Sequence, residues 1–205
     1  MQPLSKLFAG KPLVIASHNQ GKVAEIRAMI APFGIEVKSA SEANIEEPEE
    51  TGLSFAENAE LKACHAMQAT SLPSLADDSG LVIPALDGAP GIYSARWAGP
   101  GKDFSVAFSR IQTLLDEKKL RTADAYFIAD LCLCLPGGAI HHFEGRVDGT
   151  LTFPPRGTQG FGYDPIFIPK DHDLTFGEIV PEKKHRMSHR ARAFEKFLHF
   201  LTTQQ

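Results

Sequence analysis

The first forty residues hold the pattern that most restricts the fold of this chain. Residues 12–17, PLVIAS, are a short apolar run followed by polar turn residues, as in a buried strand. Apolar residues then keep helical spacing from Val23 to Ile30, and Pro32 should end that helix. Residues 35–40, IEVKSA, alternate in polarity as a second strand does. A strand, a helix and a second strand in this order predict a βαβ unit and an α/β fold.

The rest of the chain also shows the predicted helices and strands of an α/β fold. Residues 54–70 predict a helix with a face of small residues, and residues 74–86 predict a strand that is interrupted at two aspartates. Residues 123–153 read as an antiparallel meander with turns at PGG and DG. A basic helix over residues 188–201 closes the chain. We expect one domain over residues 1–205, with a long mixed sheet flanked by helices.

Composition excludes several classes of function. The chain has 205 residues and a net charge of −4, so no overall positive field would attract nucleic acid. The start of the chain shows no apolar run long enough for a signal peptide or a membrane span, which predicts a cytoplasmic protein. The three cysteines have no metal-site spacing; Cys132 and Cys134 should share one face of a strand and lie in the core.

The charges are nevertheless separated along the chain. Residues 42–60 carry seven glutamates and no lysine or arginine, whereas residues 183–196 carry six basic residues and one glutamate. Each run by itself could be a solvated surface. Together they predict a site with a side that binds cations and a side that binds anions.

Polar segments occur where strands end or loops begin, which is where α/β proteins bind ligands. Residues 17–22, SHNQGK, combine a glycine, a helix start and a lysine, which suits phosphate or is a plain helix N-terminus. Residues 46–52, EEPEETG, together with ADDSG at 76–80, offer carboxylates for Mg²⁺ or, in the first case, a solvated acidic loop. Residues 161–164, FGYD, and 188–190, SHR, could contact a planar base or pack as satellite core.

The two adjacent aspartates raise a separate question. Neighbouring side chains on a strand point to opposite faces, so Asp77 and Asp78 cannot share one task unless the chain bends there. Gly80 makes such a bend plausible. Considered together, the polar segments indicate a protein that handles a nucleoside polyphosphate, but composition and spacing do not name the reaction.

Five ordered motifs add a resemblance to this interpretation. They are VIASHNQGKVAEI, EETGLSFAENAELKA, ADDSGLVIPALDGAPGIYSARWAG, GTQGFGYDPIF and KKHRMSHRARAF. In this order they resemble the motifs of the inosine/xanthosine triphosphate pyrophosphatase family. The resemblance runs from about Leu13 to Phe197, which is nearly the whole chain.

The resemblance implies a fold and an activity. The family fold is α/β, with an elongated mixed β-sheet, two lobes and a central nucleotide-binding cleft. Its members are usually homodimeric and depend on Mg²⁺. The implied reaction is hydrolysis of the deaminated purine nucleotides ITP, dITP and XTP to the nucleoside monophosphate and pyrophosphate.

The resemblance also implies roles for individual residues. Glu50 and Asp78 match the family's metal positions, and Asp78 also matches its proton acceptor. The positions that match substrate contacts are Ser17, His18, Asn19, Gln20, Gly21, Lys22, Ser79, Phe161, Gly162, Tyr163, Asp164, Lys184, His189 and Arg190. His18 stands where many members have glycine, and Lys184 is followed by His185 where many have asparagine. The role of His18, and the choice between Lys183 and Lys184, therefore stay open.

Two alternatives remain at this stage. One is a related nucleotide pyrophosphatase that acts on other modified bases, although its motif set differs from the long match after ADDSG. The other is a sensor that binds the nucleotide with Mg²⁺ and does not hydrolyse it. A sensor would not need the proton acceptor, so the presence of Glu50, Asp78 and Lys22 favours the enzyme.

Overall fold

The computed structural model describes residue 8 and residues 10–203. Part of the N-terminal segment in which no signal peptide was expected therefore lies outside the described residues. The chain divides into two compact units. The first comprises Met1–Asp78, Ala129–Gly145 and Arg190–Gln205, and the second comprises Ser79–Ile128 and Arg146–His189. Among the described residues, no helix combines the length and the apolar character that crossing a membrane requires.

The described residues form helices and strands in alternation at the start of the chain and strands in succession later. The helices are α1 (Gln20–Ile30), α2 (Phe55–Thr70), α3 (Phe104–Glu117), α4 (Pro181–Met187) and α5 (His189–Thr203). The strands are β1 (Leu13–Ile15), β2 (Val37–Ser39), β3 (Ser74–Val82), β4 (Asp124–Cys134), β5 (Ile140–Leu151) and β6 (Phe167–Pro169).

These strands form one mixed sheet in the order β2-β1-β3-β4-β5-β6. Strand β1 pairs in parallel with both β2 and β3, whereas β5 and β6 are antiparallel. Helix α1 connects the parallel strands β1 and β2, and Gly34 ends the following 3₁₀ turn in the left-handed conformation. The predicted βαβ opening and the α/β fold class are therefore confirmed.

Two local predictions were wrong, and one short helix was missed. Strand β3 is not interrupted at the aspartates but runs without a break through Asp77 and Asp78. Strand β5 likewise continues through Asp148 and Gly149, where a turn was expected, because Gly149 pairs with β6. A short helix, α4, precedes the basic C-terminal helix and was not predicted.

Each unit has its own apolar core. In the first unit, α1 and α5 pack on the sheet through residues such as Ile26 and Phe197, and the alanine face of α2 packs beside Cys132 and Cys134. Both cysteines are buried, as predicted. In the second unit, Ile111 of α3 packs with a separate cluster of aromatic and aliphatic side chains. Each fully buried apolar side chain of this kind contributes about 1.5–3 kcal/mol to the stability of the fold. The two cores thereby hold in fixed positions the polar side chains on the same strands and helices.

Candidate active site

The loop after β1 leads into the first turn of α1 and carries most of the residues predicted to bind phosphate. Asn19 caps the helix: its Oδ1 accepts from the backbone N of Gly21 at 3.0 Å and of Lys22 at 3.3 Å. Ser17 Oγ accepts from the backbone N of Asn19 at 3.2 Å. Gln20, the first helical residue, is exposed. The cap fixes the direction in which α1 begins and thereby the position of Lys22.

Lys22 and Arg190 converge on Asp77, the first of the adjacent aspartates. Lys22 Nζ lies 2.6 Å from Asp77 Oδ2. Arg190 reaches the same carboxylate with two nitrogens, Nε at 3.3 Å and Nη2 at 3.4 Å, and also pairs with Glu25. The side chain of Asp77 is fully buried and that of Arg190 is 2% exposed. We call Lys22, Glu25, Asp77 and Arg190 the Asp77 cluster.

The charges of the Asp77 cluster decide its protonation. Burial by itself would raise the pKa of Asp77, but the cations Arg190 and Lys22 hold that pKa well below the usual aspartate range. Asp77 is therefore an ionised, internally paired group. It orients two basic side chains, including the lysine that was predicted to bind phosphate.

The second aspartate lies in a different group of charges. Lys62 Nζ on α2 lies 2.7 Å from Asp78 Oδ1 and 2.9 Å from Glu50 Oε1. One ammonium thus contacts both carboxylates that were predicted to bind the metal. We call Glu50, Lys62 and Asp78 the Lys62 cluster. The opposite directions expected for adjacent strand residues are seen here, because Asp77 and Asp78 pair with different cations.

The Lys62 cluster has perturbed protonation equilibria. Burial would lower the pKa of Lys62, yet the neighbouring carboxylates of Asp78 and Glu50 raise it above its ordinary value. Burial also raises the pKa of Asp78, with Lys62 and Lys22 acting in the opposite direction. A lysine that stays charged at neutral pH therefore holds the two carboxylates near each other.

A contact between the acidic loop and α2 fixes the position of Glu50. The backbone N of Gly52 donates to Asn58 Oδ1 at 2.8 Å, and Asn58 is buried. A Cβ at position 52 would lie 2.6 Å from that oxygen and 2.8 Å from Glu57 Cβ, so only glycine allows the loop to approach the helix. The loop is thus attached two residues after Glu50.

The donor chemistry of the Lys62 cluster suits a hard divalent cation. Two carboxylates from separate segments meet around a single positive charge, and Mg²⁺ is usually held by one or two carboxylates together with waters and phosphate oxygens. In the part of the chain that the structure describes, no group of three or more His, Cys, Asp or Glu side chains is arranged to bind a metal. Two carboxylates would by themselves fill only part of the coordination shell of Mg²⁺.

His18 lies beside the Lys62 cluster. It lines a small pocket together with Lys62, His65, Glu46 and Glu47. The side chain that departs from the family pattern thus shares a pocket with Lys62, which contacts the two predicted metal ligands. Whether His18 contacts phosphate stays a prediction.

In the second unit, Asp164 organises the loop that was predicted to bind the base. Its Oδ2 accepts from Lys184 Nζ at 2.7 Å and from the backbone N of Phe161 at 2.8 Å. Lys184 Nζ also lies 4.9 Å from the centre of the Phe161 ring. Gly160 has a φ of 73°, and a Cβ there would lie 2.0 Å from Asp164 Oδ2. Asp164 and Lys184 are both buried, whereas Lys183 is exposed.

The other predicted residues of the second unit occupy different surroundings. Tyr163 is buried, packs edge-to-face on Phe104, and donates its hydroxyl to the backbone O of Ser94 at 2.8 Å. His189 is 4% exposed and stacks on Phe127 at 4.8 Å. Ser79 and Gly162 are half-buried. Tyr163 therefore supports the loop from within the core.

Sequence reasoning missed three side chains that organise these groups: Glu25, Asn58 and Lys62. For Lys62 a signal was available. It lies on the face of α2 that carries Ala59, Ala63 and Ala66, all of which are buried. A lysine on a buried face needs an acidic partner, so the pattern itself predicts an ion pair.

The comparisons with known proteins agree with this fold and show the family. Residues 13–200 match the model of the Ham1 family. The dITP/XTP pyrophosphatase of Bradyrhizobium sp. (strain BTAi1) is 54% identical over 194 residues, covering 90% of this chain and 91% of the relative. The solved structure of a HAM1 protein from Coxiella burnetii has a TM-score of 0.86 at 36% identity and covers 94% of this chain and 98% of that chain. For the Ham1 protein of Staphylococcus aureus the TM-score is 0.84 at 35% identity, with coverage of 95% and 100%. The protein described here is a member of the Ham1 family.

Proposed function

We propose that this protein is a nucleoside triphosphate pyrophosphatase that hydrolyses the deaminated purine nucleotides ITP, dITP and XTP to the monophosphate and pyrophosphate. The observation that carries the proposal is the Lys62 cluster, because it brings together the two carboxylates that the family resemblance assigns to the metal. Relatives that are 48–54% identical carry the name dITP/XTP pyrophosphatase, which supports the same activity.

Glu50 and Asp78 would hold the metal, which we propose to be Mg²⁺. When bound, it would neutralise charge on the phosphate oxygens. Lys62 already keeps the two carboxylates together and offsets their mutual repulsion. These ion pairs support a metal site formed by β3, α2 and the acidic loop.

The remaining chemistry is positioning and proton transfer. Formation of pyrophosphate requires water to attack the α-phosphorus, with pyrophosphate as the leaving group. Lys22, oriented by Asp77, would contact the phosphate chain, and Ser17, His18, Asn19, Gln20 and Gly21 are the further contacts in its loop. Asp78 orients the water and holds its proton, because burial raises the pKa of this carboxyl group towards that of a useful base.

Base selection is assigned to the loop over residues 161–164, to His189 and to Arg190. Phe161 would stack on the purine, with Lys184 and Asp164 fixing the loop that carries it. His189 and Arg190 are the residues proposed to donate to the C6 carbonyl, which adenine lacks. Arg190 already donates to Asp77 and Glu25, and these ion pairs hold its guanidinium in place.

Guanine shares the C6 carbonyl and must be excluded at C2, where it alone presents an amino donor. A protein donor facing C2 would be left unpaired against that amino group. An unpaired buried polar group can discriminate by roughly 10⁴-fold. The proposal therefore includes rejection of GTP as well as ATP. It also includes a homodimer, as the family resemblance implies, and a cytoplasmic location, as the start of the sequence predicted.

Product analysis tests the proposal. Purified protein is incubated with Mg²⁺ and ITP, XTP, GTP or ATP, and nucleotides, pyrophosphate and orthophosphate are separated. We expect monophosphate and pyrophosphate from ITP and XTP, and almost no product from GTP or ATP. The Asp78→Asn variant is the matched control, since it changes one carboxyl group and should be inactive.

Three outcomes would contradict the proposal. Binding of ITP without any turnover would favour the sensor, and turnover only of other modified nucleotides would favour the related pyrophosphatase. Equal hydrolysis of GTP and ITP would refute the account of base selection.

A further inference from the structure

Two thiols outside the proposed catalytic groups lie unusually close together. Cys64 on α2 and Cys134 on β4 have their sulfur atoms 3.0 Å apart, and both are free cysteines. This separation is shorter than an ordinary contact between two sulfur atoms. It exceeds the length of a disulfide bond, about 2.05 Å, by only about 1 Å. A small adjustment of the two side chains would therefore bring the sulfurs to bonding distance.

The two thiols differ in their access to solvent. Cys134 is buried at 1% exposure, whereas Cys64 is half-buried on the side of α2. Burial, reinforced by the hydrogen bond to Cys134, raises the pKa of Cys64 to about 12. The Cys64 thiol therefore stays protonated at neutral pH, so oxidation will be slow, and it will start at Cys64 because this is the more exposed of the two thiols.

A third cysteine provides an internal comparison. Cys132 lies two residues before Cys134 on β4 and is also fully buried. Its Sγ lies 3.8 Å from His142 Nε2. Cys132 and Cys134 therefore lie on the same strand, are both buried and both carry a free thiol. The close sulfur contact with Cys64, however, is made by Cys134.

We propose that Cys64 and Cys134 are a reversible disulfide site that forms when the protein meets a peroxide. In the first step, the Cys64 sulfur attacks one peroxide oxygen, the O–O bond breaks, and the products are a sulfenic acid and water. In the second step, the Cys134 sulfur attacks the Cys64 sulfur, the S–O bond breaks, and a second water leaves. The two thiols lose two electrons and the peroxide gains them. A dithiol reductant reverses the bond by thiol–disulfide exchange.

This site lies close to the proposed catalytic groups without being one of them. Cys64 follows Lys62 by two residues on α2, and the bond would tie that helix to β4. The bond would close a segment with a sequence separation of 70 residues. Closing a segment of this length restricts the unfolded chain. The disulfide proposal does not depend on the nucleotide specificity proposed above.

The experiment measures intact mass and disulfide connectivity in the folded full-length protein. The protein is fully reduced, freed of reductant, exposed to hydrogen peroxide for increasing times, and quenched with an alkylating agent. We expect a species that has lost two hydrogen atoms and two alkylation sites, and that returns to the starting mass with dithiothreitol. Chymotrypsin cuts after Leu133, so peptide mapping without reductant can separate Cys132 from Cys134.

Variants provide the controls. Cys132→Ala keeps both proposed partners and should form the disulfide as the wild type does. Cys64→Ser, at the more exposed position, should abolish it. Addition of oxygen to the wild type without loss of two hydrogens would overturn the proposal, as would a cross-link that maps to Cys132 or persists in Cys64→Ser. The wild-type map decides the question even if a variant folds poorly.

Discussion

Changing either of the adjacent aspartates to asparagine should impair the protein, but the two substitutions should affect different properties: stability for Asp77 and turnover for Asp78. Asp77 is completely buried between two cations, with Lys22 Nζ at 2.6 Å and Arg190 Nε at 3.3 Å. Asp77→Asn keeps the shape of the side chain and removes its charge. Arg190, itself 2% exposed, would then lack a major part of its compensating charge. We expect Asp77→Asn to destabilise the folded protein strongly.

The magnitude follows from the burial. Removing one partner of a buried ion pair costs about 3–5 kcal/mol. Glu25 still pairs with Arg190 in the variant, so the lower half of this range is the more reasonable expectation. With a urea m-value of about 2 kcal/mol/M, the midpoint of unfolding should fall by roughly 1.5–2 M. Far-ultraviolet circular dichroism during urea titration measures this change.

Asp78→Asn is the matched control on the same strand. Burial already raises the pKa of Asp78, so the ionised form is costly in the folded protein, and Lys62 keeps its contact with Glu50 in the variant. We expect Asp78→Asn to lose turnover and much less stability than Asp77→Asn. Equal losses of unfolding free energy in the two variants would refute the distinction between an organising and a catalytic aspartate.

Three further predictions test other contacts. Gly52→Ala should displace the loop that carries Glu50, because a Cβ there would lie 2.6 Å from a side-chain oxygen of α2. A titration of hydrolysis with Mg²⁺ should then show roughly tenfold weaker activation by the metal. An unchanged titration would contradict this prediction. Burial would lower the pKa of His142, but the neighbouring carboxylates of Asp130 and Glu60 raise this pKa above its ordinary value. His142 therefore stabilises the fold below its unfolded pKa, and this contribution is lost as pH rises through the folded pKa. His142→Gln should cost more stability at pH 5.5 than at pH 8, as measured by urea unfolding; an equal cost at both values would refute this account. Asp164→Asn should weaken the contact that holds Lys184 in position. Steady-state kinetics should show a KM for ITP that is roughly tenfold higher, with a smaller effect on kcat. A change confined to kcat would argue against a positioning role for Asp164.

The elements that could be predicted from the sequence are those whose local structure is determined by residues close together in the chain. The helical spacing from Val23 to Ile30 and the face of small residues predicted for residues 54–70 act within a few positions, and the structure has α1 and α2 there. Ser54 caps α2, because its Oγ accepts from the backbone N of Glu57 at 3.1 Å.

The wrong predictions concern residues whose partners lie far away in sequence. Asp77 stays within a continuous strand because Lys22 and Arg190, 55 and 113 residues away, neutralise it. Gly149 resembles a turn residue, yet a Cβ there would lie 2.6 Å from Phe167 Cζ, so the glycine allows β6 to approach. Local pattern contains no information about such distant partners. The buried face of α2 indicates that Lys62 needs an acidic partner, but the identity of its partners, Glu50 and Asp78, required the structure.

The most direct test of the proposed reaction is the fate of the water oxygen. ITP is hydrolysed with Mg²⁺ in water enriched in ¹⁸O, and the products are separated and analysed by mass spectrometry. Attack at the α-phosphorus predicts one ¹⁸O atom in inosine monophosphate and none in pyrophosphate. Label in pyrophosphate, or release of orthophosphate in place of pyrophosphate, would contradict the account of the reaction.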